Sequence, residues 1–137
     1  AELERIKAIH GYALLWDAHS IAAEVPRFFD GVLPTLNLGT ADGQSCDPPL
    51  AEELHSVMQQ SGFTSVHNGR FKGGFITRHY GDPQASIQAV QMEITQSAYL
   101  SDEMTAQKMP ALDTKKAERL SEALMKMIIS MMSYRSE

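Results

Sequence analysis

The chain has 137 residues, of which 43% are hydrophobic and 21% are charged. These proportions are typical of globular proteins and differ from those of disordered chains. A chain of this length is expected to form a single domain over residues 1–137. The 12 Lys and Arg residues against 17 Asp and Glu residues give a formal net charge of -5, which argues against a general nucleic-acid or anionic-membrane partner.

The single cysteine, Cys46, cannot form an internal disulfide and excludes an all-cysteine metal site, so we expect a cytoplasmic protein. No apolar run approaches the ~18 residues of a membrane-spanning helix, and the start of the chain lacks the pattern of a signal peptide. The first residue is not Met, and Leu3, Ile6 and Ile9 already follow helical spacing before Gly11. We therefore expect a fragment of a longer protein.

Segments typical of helices and strands alternate along the chain, which predicts an α/β fold. Residues 12–17 form a continuous apolar run that ends in Asp17, a pattern that predicts a strand buried on both faces. A loop rich in Gly, Pro and Asn covers residues 26–49 and includes a short predicted strand at residues 36–38. A loop of this length indicates a functional role.

The middle of the chain contains one predicted helix and three predicted strands. Asp47 and Pro48 are typical of an N-cap and a first helical residue, and an apolar stripe follows them. Residues 66–67 and 75–80 are predicted strands. Residues 87–95 alternate between apolar and polar side chains, which predicts a strand with one face in the core and a polar face available for a site.

Asp113 is predicted to cap a last helix that is rich in methionine. We expect this helix to be largely buried, because Met commonly fills irregular gaps in a core. A surface for a partner protein is the alternative. The apolar stripe consists of Leu120, Leu124, Met127, Ile128 and Met131 and is widened by Met125, Ile129 and Met132.

Asp17 and His19 stand at the end of the first predicted strand. They are two residues apart and therefore point to the same face if the strand continues. Ligands in open α/β sheets bind at the carboxyl ends of strands, which places His19 where an imidazole can bind a metal ion. The alternative is that both side chains bond only to the backbone at the strand end.

The segment 66–81 contains Arg70, Lys72 and Arg78 and no acidic residue, although the whole chain is acidic. Glycines in this segment allow the backbone to approach a ligand, and a guanidinium group pairs with a carboxylate or phosphate through two parallel hydrogen bonds. The pattern predicts an anion site formed by Arg70 and Arg78, with Lys72 as a surface residue. On the predicted strand, Arg78 shares a face with Tyr80.

Glu93 lies on the polar face of the strand predicted at residues 87–95. A carboxylate on a central strand is costly to bury alone, so it is either paired with an arginine or poised as a general base. His67 and His79 are further candidate site residues. Cys46 together with a histidine is a known type of nucleophilic pair, which leaves a cysteine hydrolase as a separate alternative.

Four segments carry a family resemblance: residues 15–21, 36–40, 68–81 and 89–94. Together they resemble the N-formylglutamate amidohydrolase family, the formylglutamate deformylases of histidine degradation. The third segment, NGRFKGGFITRHYG, is long and specific. The resemblance extends over residues 8–132 and covers about the carboxy-terminal half of the usual family length.

This family is similar to zinc carboxypeptidases and aspartoacylases. The resemblance therefore implies a three-layer α/β/α sandwich with a mixed, mostly parallel sheet, here lacking its amino-terminal part. It implies Glu93 as the general base and His19 as a metal ligand supported by Asp17. The implied substrate-binding residues are Arg70, Arg78, Asn68 and His79.

The implied function is metal-dependent hydrolysis of N-formyl-L-glutamate, a small anionic substrate, to formate and L-glutamate. The implied cofactor is a divalent metal ion, and zinc is the metal that we expect. The early metal ligands of the family have no counterpart in residues 1–10, so we expect this chain alone to be incomplete as an enzyme. The alternative is a non-catalytic domain that binds small dicarboxylates through Arg70 and Arg78. Gln88, where the resemblance leads us to expect His, is a departure from the family pattern.

Overall fold

A computed structural model describes residues 2–102 and 110–134. The strands of this part are β1 (Ala13–Ile21), β2 (Leu36–Gly39), β3 (Ser65–His67) and β4 (Ile87–Thr95). They form one sheet in the order β1-β4-β2-β3. β1 is parallel to β4 and β2 is parallel to β3, whereas β2 is antiparallel to β4. The sheet is therefore mixed and mainly parallel.

Helices cover both faces of this sheet. The first helix packs beside β1, the second and fourth pack on each other over one face, and the short third helix contacts β4 and β1 on the other face. The predicted layered α/β fold is thereby confirmed. The helices are α1 (Glu2–His10), α2 (Pro48–Gln60), α3 (Phe75–Tyr80) and α4 (Thr114–Ser133).

The hydrophobic core lies between the sheet and the helices α2 and α4. Val90, Met92 and Ile94 of β4 pack into it, and full burial of such a side chain contributes roughly 1.5–3 kcal/mol. A shift of β4 by one residue would turn all three out of the core, so burial fixes the register. The same register turns Gln91 and Glu93 to the opposite face of the sheet.

Aspartates stand at the N-terminus of both long helices, as predicted. The Asp113 carboxylate accepts a hydrogen bond from Lys116 N at 3.1 Å, which caps α4. Asp47 precedes α2, but its side chain makes no cap hydrogen bond. It accepts hydrogen bonds from Gln88 Nε2 at 2.7 Å and from Tyr134 Oη at 3.0 Å instead. Gln88 therefore ties β4 to the start of α2.

Residues 75–80 form the helix α3, so the prediction of a strand there is wrong. The β-branched and aromatic residues of this segment favour strands, but context overrides that weak preference. Arg78 N donates to Gly74 O at 3.1 Å to close a helical turn, and Thr77 is buried beneath it. Residues two apart do not share a helix face, so Arg78 does not lie beside Tyr80 as predicted.

β1 is an edge strand in the described part of the chain. Within the predicted run 12–17, Ala13 is buried and the other residues are partly buried, so the strand is less completely buried than predicted. Its first residue, Ala13, is fully buried, but the last part, including Ala18, His19 and Ser20, is exposed. An apolar run does not reveal how many neighbours its strand has. The strand also continues past Asp17 to Ile21.

The helix α4 is buried along one stripe only. Leu120, Met127 and Met131 are buried, as predicted, whereas the widening residues Met125, Ile129 and Met132 are exposed. A straight helix on a sheet presents a single stripe to it, which is why the wider burial prediction is wrong. In the described ranges, neither α4 nor any other helix is long and apolar enough to cross a membrane.

The segment 70–74 crosses the polar face of the sheet, and we call it the crossing loop. Gly74 N at its end donates to Gln91 Oε1 at 2.5 Å. Gly39 permits the crossing, because a Cβ atom there would lie 2.5 Å from Gly73 N. Because Gly39 has no side chain, this loop can lie directly on the sheet at the end of β2.

The Gly39→Ala variant is expected to lower the free energy of unfolding by ~3 kcal/mol, because the added Cβ must push backbone away. Gly11→Ala is the control: its φ is positive, at 82°, but no atom lies within 4 Å of an added Cβ. It should cost only about 1 kcal/mol of conformational strain. Urea unfolding measures both. Equal losses would mean that the crossing loop is not held against β2.

Candidate active site

Polar side chains from three neighbouring strands form a row across one face of the sheet. His19 of β1 is paired in register with Glu93 of β4, which is paired with Asn37 of β2. Residues in register on adjacent strands point to the same face, with Cβ atoms roughly 5 Å apart. These residues, with Asp17 and Gln91 in the adjacent row, are called the polar cluster below.

Glu93 is the buried carboxyl group at the centre of the polar cluster. Its relative exposure is 6%, and burial raises the pKa of its carboxyl group. The nearby Asp17 also raises that pKa, whereas His19 and the hydrogen bond from Gln91 oppose the change. A carboxylate with a raised pKa is a stronger base than an exposed glutamate, as general base catalysis requires.

Asp17 and His19 lie together, as the spacing predicts. Asp17 Oδ1 is 3.0 Å from His19 Nε2, with the carboxylate mostly buried and the imidazole about half exposed. A carboxylate on one ring nitrogen orients the imidazole and leaves the other nitrogen for a ligand. Asp17 Oδ2 is buried and has no hydrogen-bond partner in the described part of the chain.

Asn37 is a member of the polar cluster that the sequence did not reveal. It is 1% exposed, and its Nδ2 donates to Pro34 O at 2.7 Å and to Glu93 O at 3.2 Å. Its Oδ1 is buried without a partner among the residues described. The one available signal was a polar residue inside a short apolar strand, since buried polar groups usually have a specific role.

Gln91 joins the polar cluster to the crossing loop. Its Oε1 accepts the hydrogen bond from Gly74 N, while its Nε2 donates to Glu93 Oε2 at 3.3 Å. A displacement of the loop would therefore disturb the side chain that contacts the Glu93 carboxyl group.

Arg70 and Arg78 are exposed and bond to backbone carbonyl groups. Arg70 Nη2 donates to Phe28 O at 2.6 Å, and Arg78 Nη1 donates to Gly73 O at 2.7 Å. Neither arginine contributes to the pKa of Glu93, so the alternative of an arginine–Glu93 salt bridge has no support among the described residues. The two guanidinium groups stand near the two ends of the crossing loop.

Asn68 and Lys72 are bonded to other parts of the protein. Asn68 Oδ1 accepts from Thr40 N at 2.9 Å and its Nδ2 donates to Thr40 Oγ1 at 2.9 Å. Lys72 Nζ lies 3.0 Å from Asp42 Oδ2 on the surface. The amide of Asn68, predicted to bind substrate, is thus engaged within the protein.

His79 lies on the short helix α3, which contacts β4 and β1. Its ring stacks on Phe75 at a centroid distance of 4.8 Å and meets Tyr80 edge-on at 4.7 Å. It lines an open cleft of about 660 Å³ that also contacts Ile87. The cleft also contacts Leu15, which lies two residues before Asp17 on the same face of β1. The role of His79 in substrate binding stays a prediction.

Cys46 is fully buried in the core. Burial raises the pKa of its thiol to about 12, and Asp47 adds to this effect. The thiolate is the nucleophilic form of cysteine, and it is scarce at neutral pH when the pKa is this high. The cysteine hydrolase alternative therefore finds no support in the environment of Cys46.

The described residues do not form a complete metal site. No group of three or more His, Cys, Asp and Glu side chains in residues 2–102 and 110–134 is placed to hold a metal ion. Catalytic zinc normally has three protein ligands. His19 fits the role of one ligand. In metal-binding imidazoles the second ring nitrogen is commonly bonded to a carboxylate, and here the Asp17 carboxylate contacts one nitrogen of His19.

A buried carboxyl group and a histidine–aspartate pair at the carboxyl ends of two parallel strands are typical of α/β enzyme sites. The model of the N-formylglutamate amidohydrolase family matches residues 1–100 of the chain. The chain therefore belongs to this family.

Two relatives named N-formylglutamate deformylase support this membership. The chain is 58% identical to the protein of Pseudomonas putida over 102 residues and 56% identical to that of Pseudomonas aeruginosa over 103 residues. Each match covers 74% of this chain but only 38% and 39% of the respective relatives. The chain therefore spans well under half the length of the relatives it matches.

A solved structure shows the same fold. It is the crystal structure of N-formylglutamate amidohydrolase from Ralstonia eutropha JMP134, which aligns with a TM-score of 0.77 at 20% sequence identity. The alignment covers 93% of this chain and 45% of that chain.

Proposed function

We propose that the polypeptide containing this chain hydrolyses N-formyl-L-glutamate to formate and L-glutamate, as a cytoplasmic step of histidine degradation. The family and the names of the two Pseudomonas relatives support the substrate. One observation carries the chemistry: the buried Glu93, whose pKa is raised, is paired in register with His19 at the end of β1.

Glu93 is the general base of the proposed reaction. Its carboxylate takes a proton from the attacking water as the new carbon–oxygen bond forms at the formyl carbon. The same carboxyl group then gives this proton to the amide nitrogen as the carbon–nitrogen bond breaks, so formate and the amine of glutamate leave. Gln91 holds the carboxyl group in place from the side of the crossing loop.

His19, oriented by Asp17, is proposed as one ligand of a divalent metal ion, with zinc the first choice. When bound, such an ion would polarise the formyl oxygen and lower the pKa of its water to ~7. The other ligands would lie outside the described residues, which contain no complete ligand group. The matched relatives are longer than this chain, which is consistent with metal ligands supplied by another part of the polypeptide.

Arg70 and Arg78 are proposed to bind the two substrate carboxylates. The net charge of -5 repels a dianion at long range, so recognition has to come from local pairing. Both guanidinium groups are exposed beside the crossing loop, and each carries five N–H donors, of which the described contacts use one nitrogen.

A second candidate function is binding of small dicarboxylates through Arg70 and Arg78 without hydrolysis. It is favoured by the lack of a complete ligand group among the described residues. Calorimetry with L-glutamate and a formate-release assay, both on the polypeptide as its gene encodes it, distinguish the two. Binding without any release of formate would support this second function.

The Glu93→Gln variant should lower kcat by ~10²–10⁴ with little change in KM, the usual effect of removing a positioned acid or base. Folding raises the pKa of Glu93 above 4.5, so its protonated form contributes to the stability of the folded state at low pH. This contribution is lost as pH rises from 4.5 through the folded-state pKa. Glutamine does not ionise, so the variant should be at least as stable as the parent at pH 7.5. Steady-state kinetics and thermal unfolding measure these effects.

The exposed Glu52→Gln on α2 is the control for Glu93→Gln. It makes the same chemical change and should alter neither kcat nor stability. Ordinary turnover in Glu93→Gln together with a strong loss of thermal stability would contradict the role as base and favour a structural one.

Arg70→Lys and Arg78→Lys should each weaken recognition, because a point charge does not reproduce the planar two-bond fork. Loss of charge-assisted bonds worth ~1.5–3 kcal/mol lowers kcat/KM roughly 10- to 150-fold. The arginine that binds the side-chain carboxylate should affect N-formylglutamate much more than N-formylglutamine. Arg119→Lys, bonded to Gly62 O at a different part of the surface, is the control. An unchanged preference between the two substrates in both variants would refute this specificity.

A further inference from the structure

Three side chains form a closed hydrogen-bonded network where β3 leads into the crossing loop. Thr40 Oγ1 lies 2.8 Å from His67 Nε2. Asn68 Nδ2 lies 2.9 Å from Thr40 Oγ1 and 3.0 Å from His67 Nε2. We call Thr40, His67 and Asn68 the His67 network. Thr40 is fully buried and the other two are partly buried.

The network determines the protonation of His67. Asn68 Oδ1 accepts from the backbone Thr40 N, which fixes the orientation of the amide and leaves Nδ2 as a donor. The second N–H of this amide group points to His67 Nε2, which lies 3.0 Å away. Because the amide nitrogen can only donate, this contact requires Nε2 to accept, as it does in a neutral ring with its proton on Nδ1.

The groups around His67 favour the neutral ring. Burial lowers the pKa of His67, and the His55 ring of α2, 5.8 Å away between centroids, lowers it further. Asp42, in the turn after β2, acts in the opposite direction. Its carboxylate is paired with Lys72 at 3.0 Å, which weakens that attraction.

The network holds a strained corner of the backbone. Asn68 has a φ of 51°, a left-handed conformation that costs energy in a residue other than glycine. Asn68 N donates to Leu38 O at 2.8 Å. The crossing loop follows this corner and ends where Gly74 N bonds to Gln91, which in turn contacts Glu93. Hydrogen bonds thus secure both ends of the loop.

We propose that His67 is a positioning residue: as a neutral imidazole it holds the Asn68 corner and so seats the crossing loop over the polar cluster. Protonation of Nε2 would turn an acceptor into a donor that faces the Asn68 amide donor, and the loop would loosen in acid. The predicted effect on turnover rests on the proposed function, whereas the structural effect on the loop does not.

The first test is nuclear magnetic resonance of the ¹⁵N-histidine-labelled polypeptide over a range of pH. His67 is expected as the Nδ1–H tautomer at neutral pH, with its protonation shifted below the ordinary pKa of 6.5. The protection of the Gly74 amide hydrogen against exchange, relative to the intrinsic rate at each pH, should fall as His67 becomes protonated. An Nε2–H tautomer, or titration at or above 6.5, would overturn the proposal.

The second test compares two variants. His67→Gln retains an acceptor that cannot be protonated, and His67→Leu has none. At pH 7.5, His67→Leu should raise KM by ~10-fold, because the loop binds substrate in the proposed function. It should lower kcat by a smaller factor, because Gly74 of the loop bonds to the Gln91 side chain that contacts Glu93. His67→Gln should restore KM. As pH falls from 7 to 5, the KM of the parent should rise because His67 becomes protonated. This rise should be absent in His67→Gln.

The exposed His10→Gln on α1 is the control and should behave as the parent throughout. Equal impairment of His67→Gln and His67→Leu, or unchanged Gly74 exchange in His67→Leu, would contradict the positioning role. If no formate is released at all, the proposed function fails, and the tautomer and the Gly74 exchange still decide the role of His67. If formate is released but Gly74 exchange is the same in all variants, the role of His67 alone is refuted.

Discussion

The alignment of β4 between β1 and β2 is the constraint on which the candidate site depends. All nine residues of β4 are buried, and the apolar ones on one face fix its register against α2 and α4. That register brings Glu93 level with His19 on one side and with Asn37 on the other. The energy that holds a buried carboxyl group in place therefore comes from the opposite, apolar face of the same strand.

A loop that lies flat on the sheet completes this arrangement. It reaches the sheet because Gly39 has no side chain, and it contacts the polar cluster through Gln91. Of the two proposed anion-binding arginines, Arg70 begins this loop and Arg78 bonds to its Gly73 carbonyl group. The proposed proton carrier, Glu93, is connected to the end of the loop through Gln91. Substrate recognition and proton transfer would thus belong to different elements, which is why the two can be separated as effects on KM and on kcat.

Local patterns predicted much of this site. The alternation in β4 identified the face of Glu93, and the two-residue spacing predicted that Asp17 and His19 lie together, because both signals depend on strand geometry alone. The position of β1 at the sheet edge, the role of Asn37 and the helix α3 depend on which strands pair and on contacts distant in sequence. Propensity favoured a strand for residues 75–80, and tertiary contacts overrode it.

The most direct test of this site is to locate a divalent metal ion by anomalous diffraction in crystals of the zinc-loaded, active polypeptide as its gene encodes it. We expect an anomalous peak bound by the imidazole of His19, on the face of the sheet that carries Glu93, and the loss of that peak in His19→Ala. A peak remote from both residues, or the same zinc content in His19→Ala, would contradict the assignment of the polar cluster as the active site.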